Sequence, residues 1–351
     1  GQVQRALNMV LFLVRVPRDV IKDGQQKQDK ELLGIAEQLI SSFSNFHSKG
    51  WNKFIFGEPY LAFEIAVHNT KEETHFYIAA PRASADVIEK QIYSFYPTAD
   101  ISQTKDYSIF SLDGAIAGGV VRTAHESILP IRTYQKLEAD PLGAILTSMS
   151  RLETEGEGAV FQILLRPSHN NKDKNFALKV AREMQSGYRY SDAWQRAKHP
   201  PKPKKIKPGE TPQPEAEKPK VVTPADDEII KALVAKASKQ NFDVNVRYLV
   251  SAKTPERAKQ LIEDFQGALV QYSGGDMNDL KLNTVFGHAL DRLVYDYSFR
   301  IFNNSNKVTL SAEEVVSLFH FPLATTSAPR VKFLRAKPAE PPPDLPLEGI
   351  I

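Results

Sequence analysis

The chain opens on a continuous apolar run, Met9-Val-Leu-Phe-Leu-Val14, closed by Pro17. That pattern predicts a strand buried on both faces. Between Asp29 and Phe46 the apolar positions Leu32, Leu33, Ala36, Leu39, Ile40 and Phe43 recur at helical spacing. Tyr60–His68 alternates, with Leu61, Phe63, Ile65 and Val67 on one side. Asn69–Glu73 turns the chain, and Thr74–Ala80 returns as a second strand. Ser84 can cap a helix carrying Val87, Ile88, Ile92 and Phe95, stopped by Pro97, and Ala99–Gln103 is a short strand. The order β-α-β-β-α-β predicts an α+β fold built on a ferredoxin-like, split βαβ unit.

Further along, Tyr107–Phe110 and Ala115–Arg122 read as a hairpin around Asp113-Gly114. Asp140-Pro141 supplies an N-cap and an N1 proline for a helix to about Leu152. Ala159–Pro167 repeats the opening device, a buried strand ending in arginine and proline, and a helix is expected over Asn175–Ala197. A second ferredoxin-like unit, diverged from the first, is therefore expected to open at this strand. Residues 198–224 interrupt it with a Lys/Pro/Glu-rich stretch nearly free of apolar side chains, the composition of a disordered linker. A helix from Asp226, an alternating strand over Phe242–Ala252 and a helix opened by Thr254-Pro255 follow. Ala289–Phe302 fits helix and strand equally. In the closing stretch, Ser311 and Glu314 have capping-box spacing ahead of Val315, Val316, Leu318 and Phe319. That helix is expected to pack on the second unit. The basic strand Arg330–Lys337 should then leave it for a Pro341–Pro346 connector. The expected domains are 1–152, 153–330 and a Pro-rich 331–351 connector toward a part of the protein beyond the chain.

Composition changes this picture little. The 351 residues carry net charge +3, are 42% hydrophobic and 25% charged, and contain no cysteine. Disulfides, thiolate metal sites and cysteine nucleophiles are thereby excluded. The apolar run Met9–Val14 is far short of the ~20 residues of a membrane helix. Residue 1 is glycine, so an upstream segment is expected.

Chemical motifs are sparse. Gly114 and Gly119 have Walker A spacing, but Val120-Val121 stand where a phosphate-binding lysine and a magnesium-binding hydroxyl are needed. His68 and His75 should face each other across a strand pair, as an incomplete zinc site or as strand-end polar residues. His320 follows a helix, where a positive charge meets the dipole. Lys202, Lys204, Lys205 and Lys207 are candidate phosphate contacts, or a solvated linker offset by Glu210, Glu215 and Glu217.

Five segments carry a family resemblance: Leu7–Pro17, Thr74–Pro97, Leu129–Pro141, Gly156–Pro167, and Leu310–Pro322 with its Pro-Pro-Pro-Asp-Leu-Pro tail. Together they resemble the region that precedes the motor in bacterial type IV secretion and conjugation DNA-transfer ATPases of the HerA/FtsK/TraG kind. The resemblance implies a non-catalytic accessory region at the cytoplasmic, inner face of the cell membrane. It implies ATP and Mg in a C-terminal ATPase domain outside this chain, and no cofactor within it. Implied partners are that domain, further copies in a homo-oligomer, secretion-channel proteins, DNA, and the membrane through a segment outside the chain. A nucleic-acid-binding module built on tandem ferredoxin-like units is the other reading.

Overall fold

The structure, a computed structural model, describes residues 7–18, 25–46, 58–68, 73–152, 155–169, 171–200, 221–275, 277–326, 330, 331, 333 and 334. Its strands are β1 (Met9–Arg15), β2 (Leu61–Val67), β3 (Thr74–Pro81), β4 (Asp100–Thr104), β5 (Ala115–Thr123), β6 (Gly158–Pro167), β7 (Asn241–Ala252), β8 (Leu280–Thr284) and β9 (Val308–Ser311). The helices are α1 (Gln25–Ser42), α2 (Ala85–Phe95), α3 (Pro141–Met149), α4 (Asn171–Gln185), α5 (Tyr190–Lys198), α6 (Pro224–Ser238), α7 (Pro255–Leu269), α8 (His288–Ser298) and α9 (Ala312–Leu318). The class is α+β.

The nine strands of the described residues belong to one sheet, ordered β4-β1-β3-β2-β6-β7-β5-β8, with β9 paired to β7. Every ladder is antiparallel. The first four strands run 4-1-3-2, with α1 and α2 as their crossovers. Starting from β5, the elements β5-α3-β6-β7-α7-β8 give the same order in the other half. The halves meet at β2 and β6, which pair from Leu61↔Leu165 to Val67↔Ala159.

Several expectations are corrected. Residues 107–110 form no strand; the turn Ser111–Gly114 exists, but β5 pairs with β7 and β8 instead. The helix expected over 175–197 is two helices, broken where Gly187 takes φ +90°, a conformation that a Cβ disfavours. The segment before Ala289, for which the pattern predicts no element, contains β8, and the ambiguous stretch is helical over 288–298. α9 does not pack solely on the second half. Phe319 lies 5.1 Å from Phe63 and 6.0 Å from Phe76, ring to ring, on the first half's strands. The segment beyond it turns back onto the sheet: Thr74 N donates to Arg330 O (3.0 Å), and Leu334 N donates to Val16 O (3.1 Å). Val331 and Phe333 pack partly buried against the main apolar core, which explains the return, because leaving would expose them.

Both sheet faces are covered. One apolar cluster runs from Val10 and Phe12 through Phe63, Phe161 and Val246 to Phe265, Leu310 and Phe319, so a single core spans both halves. The other face packs Leu11, Ala62, Val160 and Leu249 under Leu293, Tyr297 and Phe302. A third cluster lies in the α4–α6 helices inserted between β6 and β7.

Candidate functional site

Among the buried charged groups of the described residues, two centres tie several segments together. The first grows from strand alternation. Glu64 on β2, Gln162 on β6 and Arg247 on β7 are register partners, so the pleat sets all three on the same face. All three are fully buried. Glu64 accepts from Arg300 Nε (2.8 Å) and Nη2 (3.2 Å), Gln162 Nε2 (2.8 Å) and the Tyr107 hydroxyl (2.8 Å). Arg247 donates to Gln162 Oε1 (3.0 Å), Asp296 O (2.9 Å), Asn245 Oδ1 (3.2 Å) and Ile301 O. Burial pulls the Arg247 pKa down to about 10, against the opposing pull of Asp296, so it stays charged at neutral pH.

Arg300 owes its place to the end of α8. Its N–H donates to Tyr297 O (3.0 Å), and Ile301 N donates to Asp296 O (2.7 Å). That is a Schellman closure, whose left-handed position is usually glycine. Here Arg300 occupies it at φ +47°. The backbone cost is about 1–2 kcal/mol. It is offset because the guanidinium reaches both Glu64 and Asp106 (2.8 Å). Burial would lower the Arg300 pKa, but the Glu64 carboxylate outweighs it and raises it.

The second centre floors a cavity of about 690 Å³ between α6, the 130–136 segment, residues 273–275 with Met277, and the start of α9. Thr223 and Asp226 close a capping box that starts α6, and α6 carries Lys236 inward. The Ser311–Glu314 capping box starts α9, as its spacing predicts. Its carboxylate also accepts from Ile131 N (2.9 Å) and meets Lys236 Nζ at 3.0 Å. The ammonium donates to Thr309 O as well (3.1 Å). Beside it, Lys239 bridges Glu37 (3.0 Å) and Glu313. Burial lowers the Lys239 pKa, but these two carboxylates prevail and raise it. Lys236 is thus a pinned cation that ties α6, β9, α9 and the 130–136 segment together. Its donors are occupied, which suits anchoring rather than nucleophilic chemistry.

The Walker-like glycines lie in a different setting. Gly119 is inside β5, where an added Cβ would come 2.6 Å from Asn283 O. A phosphate loop must open onto a helix N-terminus; this stretch is a strand flanked on both sides. His68 and His75 do face each other, with ring centroids 4.9 Å apart. His68 Nε2 is 2.8 Å from the Tyr77 hydroxyl and stacks on Tyr107, which sets it in an aromatic cluster. Among the described residues, no group of three or more His, Asp or Glu could hold a metal ion. No helix among them is long and apolar enough to cross a membrane. Lys202, Lys204, Lys205 and Lys207 lie outside the described residues, as do residues 335–351 of the proposed connector.

His320 sits just past α9, as expected, but it is also paired. Nδ1 is 2.7 Å from Val316 O and Nε2 is 2.9 Å from Asp140 Oδ1. Both partners are acceptors, so both ring nitrogens carry protons. Burial would lower the His320 pKa, but the Asp140 charge and hydrogen bonds raise it.

Sequence reading missed Glu64, Arg247, Arg300 and Lys236. A signal was present: Glu64 interrupts the otherwise apolar strand Leu-Ala-Phe-Glu-Ile-Ala-Val, and Arg247 stands with Asn245 in the mostly apolar run Val-Asn-Val-Arg-Tyr-Leu-Val. A strand with a charge on its second face needs that charge matched once both faces are covered.

A comparison with curated proteins finds no match. A family model does match, over residues 20–332, which includes every strand except β1 and every helix of the structure. The chain therefore belongs to the family described as Domain of unknown function (DUF8128).

Proposed function

We propose that this chain is a non-catalytic accessory and assembly region of a membrane-associated DNA-translocating ATPase of the type IV secretion, conjugative kind. Its two sheet halves would be ferredoxin-like units, the second opening at β5 and interrupted between β6 and β7. The observation that carries the reading is the use of the buried charges. Glu64 pairs with Arg300 and Lys236 with Glu314, while Arg247 donates to the Gln162 and Asn245 side chains and to backbone carbonyls of two further segments. Such groups make a rigid platform, and a platform suits positioning a motor or holding neighbouring copies.

Four of the five segments that carry the family resemblance include elements of this platform: β1, β3 with α2, β6, and β9 with α9. The motor, its ATP and Mg, the membrane segment and the secretion channel lie outside residues 1–351 in this reading. Two measurements on the purified chain test it. Phosphate release from Mg-ATP should stay at the buffer background, and sedimentation velocity should show concentration-dependent self-association. ATP turnover that disappears on Lys236→Ala would move the chain among the enzymes. A sedimentation coefficient independent of concentration would remove the assembly role. A nucleic-acid-binding module remains the second reading, favoured by the distribution of surface charge.

A further inference from the structure

We infer that the α4–α5 helical hairpin is a contact surface for the phosphate backbone of duplex DNA. This rests on the DNA-translocation reading for its biological setting but not for its physics. The first observation is charge segregation. Residues 171–200 hold seven Lys or Arg against three Asp or Glu, a net +4. Residues 201–220 add six against three, a further +3. The whole chain is only +3, so everything outside 171–220 sums to −4. A basic insert on an acidic body is oriented toward an anionic partner by long-range attraction.

The second observation is where the helical charges point. α4 buries Ala177, Val180, Ala181 and Met184 against the rest of the insert. Lys172, Lys179 and Arg182 are exposed on its far side. At 100° per residue the three fall within an arc of about 80°, along about 15 Å of helix. Asn175 and Ser186 continue the same exposed stripe. On α5, Arg196 is committed to Glu183 (2.7 Å), whereas Lys198 rides over Trp194, with Nζ 4.3 Å from the ring centre.

The chemistry favours phosphates of a nucleic acid over an anionic membrane. A helix that lies in a membrane interface needs large apolar side chains to insert. Among the described residues of 171–200, Leu178 is the one large hydrophobic that is exposed. A stripe of long cations with short polar residues between them instead matches backbone contacts without base readout.

The test is fluorescence anisotropy of a labelled random-sequence duplex with the full chain, across a salt series. Binding should weaken steeply with salt. The Lys172→Glu, Lys179→Glu, Arg182→Glu triple variant should weaken it further and flatten log K against log salt by about 2–3 units, at about 0.9 for each phosphate no longer neutralised. A charge-matched control, Lys90→Glu, Lys259→Glu and Lys281→Glu, should retain most of the binding. Equal losses in the two variants would reduce the effect to net charge and overturn the inference. So would absence of DNA binding, or a loss seen only when 202–220 are deleted. Tighter binding to phosphatidylserine vesicles than to the duplex would also overturn it, in favour of a membrane. Failure here with self-association intact leaves the assembly reading standing. DNA binding by a chain that hydrolyses ATP or never self-associates would do the reverse.

Discussion

At the scale of single residues, buried charges dominate the consequences of substitution. Arg300→Gly relieves the left-handed backbone, worth about 1–2 kcal/mol. It also strands the fully buried Glu64 carboxylate, at a cost of about 3–5 kcal/mol. The second effect wins, so urea denaturation should show net destabilisation although glycine suits the φ of +47° better. Lys236→Met should cost a similar amount, because Glu314 is left buried without its cation. Pairing it with Glu314→Gln, which keeps the capping box, should recover most of the loss. Additive losses in that double variant would show that the ion pair does not couple the two positions.

The His320–Asp140 pair gives a pH signature with two opposite limbs. His320 is raised in the folded state, so its contribution is complete below about pH 6.5 and fades as pH rises through the folded value. For Asp140, burial alone would raise the carboxyl, but His320 and the hydrogen bonds from Thr326 and Leu142 lower it from 3.8. Its contribution is present above that value and fades as pH falls through the lowered one. The pair therefore supports the fold most between those limits. His320→Gln should flatten the alkaline limb of a melting-temperature profile; an unchanged limb would assign it to other groups.

At the scale of elements, α9 is short, seven residues, yet it closes the molecule. It follows β9 on the second half and delivers Phe319 to Phe63 and Phe76 on the first. Phe319→Ala should cost about 3–5 kcal/mol, the range for a buried aromatic. Gly158, at the start of β6, tests close strand packing: a Cβ there would sit 2.3 Å from Ile109 O. Gly158→Ala should thus destabilise by about 1–3 kcal/mol, because neighbouring backbone must move. A neutral result in denaturant titration would mean that the 107–112 segment shifts freely.

At the scale of the whole molecule, a shared core makes a thermodynamic claim. The halves are joined by the β2–β6 ladder and by one apolar cluster that reaches from Val10 to Phe265. Calorimetry should therefore show one cooperative transition, and two resolved peaks would mean that the halves unfold separately. Deleting 202–220 should leave that transition almost where it is. The deleted sequence has almost no apolar residues, and shortening a loop changes closure entropy only slowly. A drop of many degrees would show that the stretch stabilises the folded body.

Local pattern was enough for much of the chain. The 3.6 and 2.0 periodicities mark α1, β2, β3, α2, α7 and β7. The caps at Asp140, Thr254 and Ser311 form where their spacing puts them, because a cap is a matter of neighbouring residues. The strand order was not legible. Which strand joins β5 depends on partners more than a hundred residues away, and no short-range pattern records them. The candidate centres were hidden for the same reason. Glu64 meets Arg300 across 236 positions, and Lys236 meets Glu314 across 78. A charge inside a strand reads as solvent-facing until the second face is covered. That covering comes from α8, whose own sequence fits helix and strand alike, so only tertiary packing decided that these charges are buried and paired.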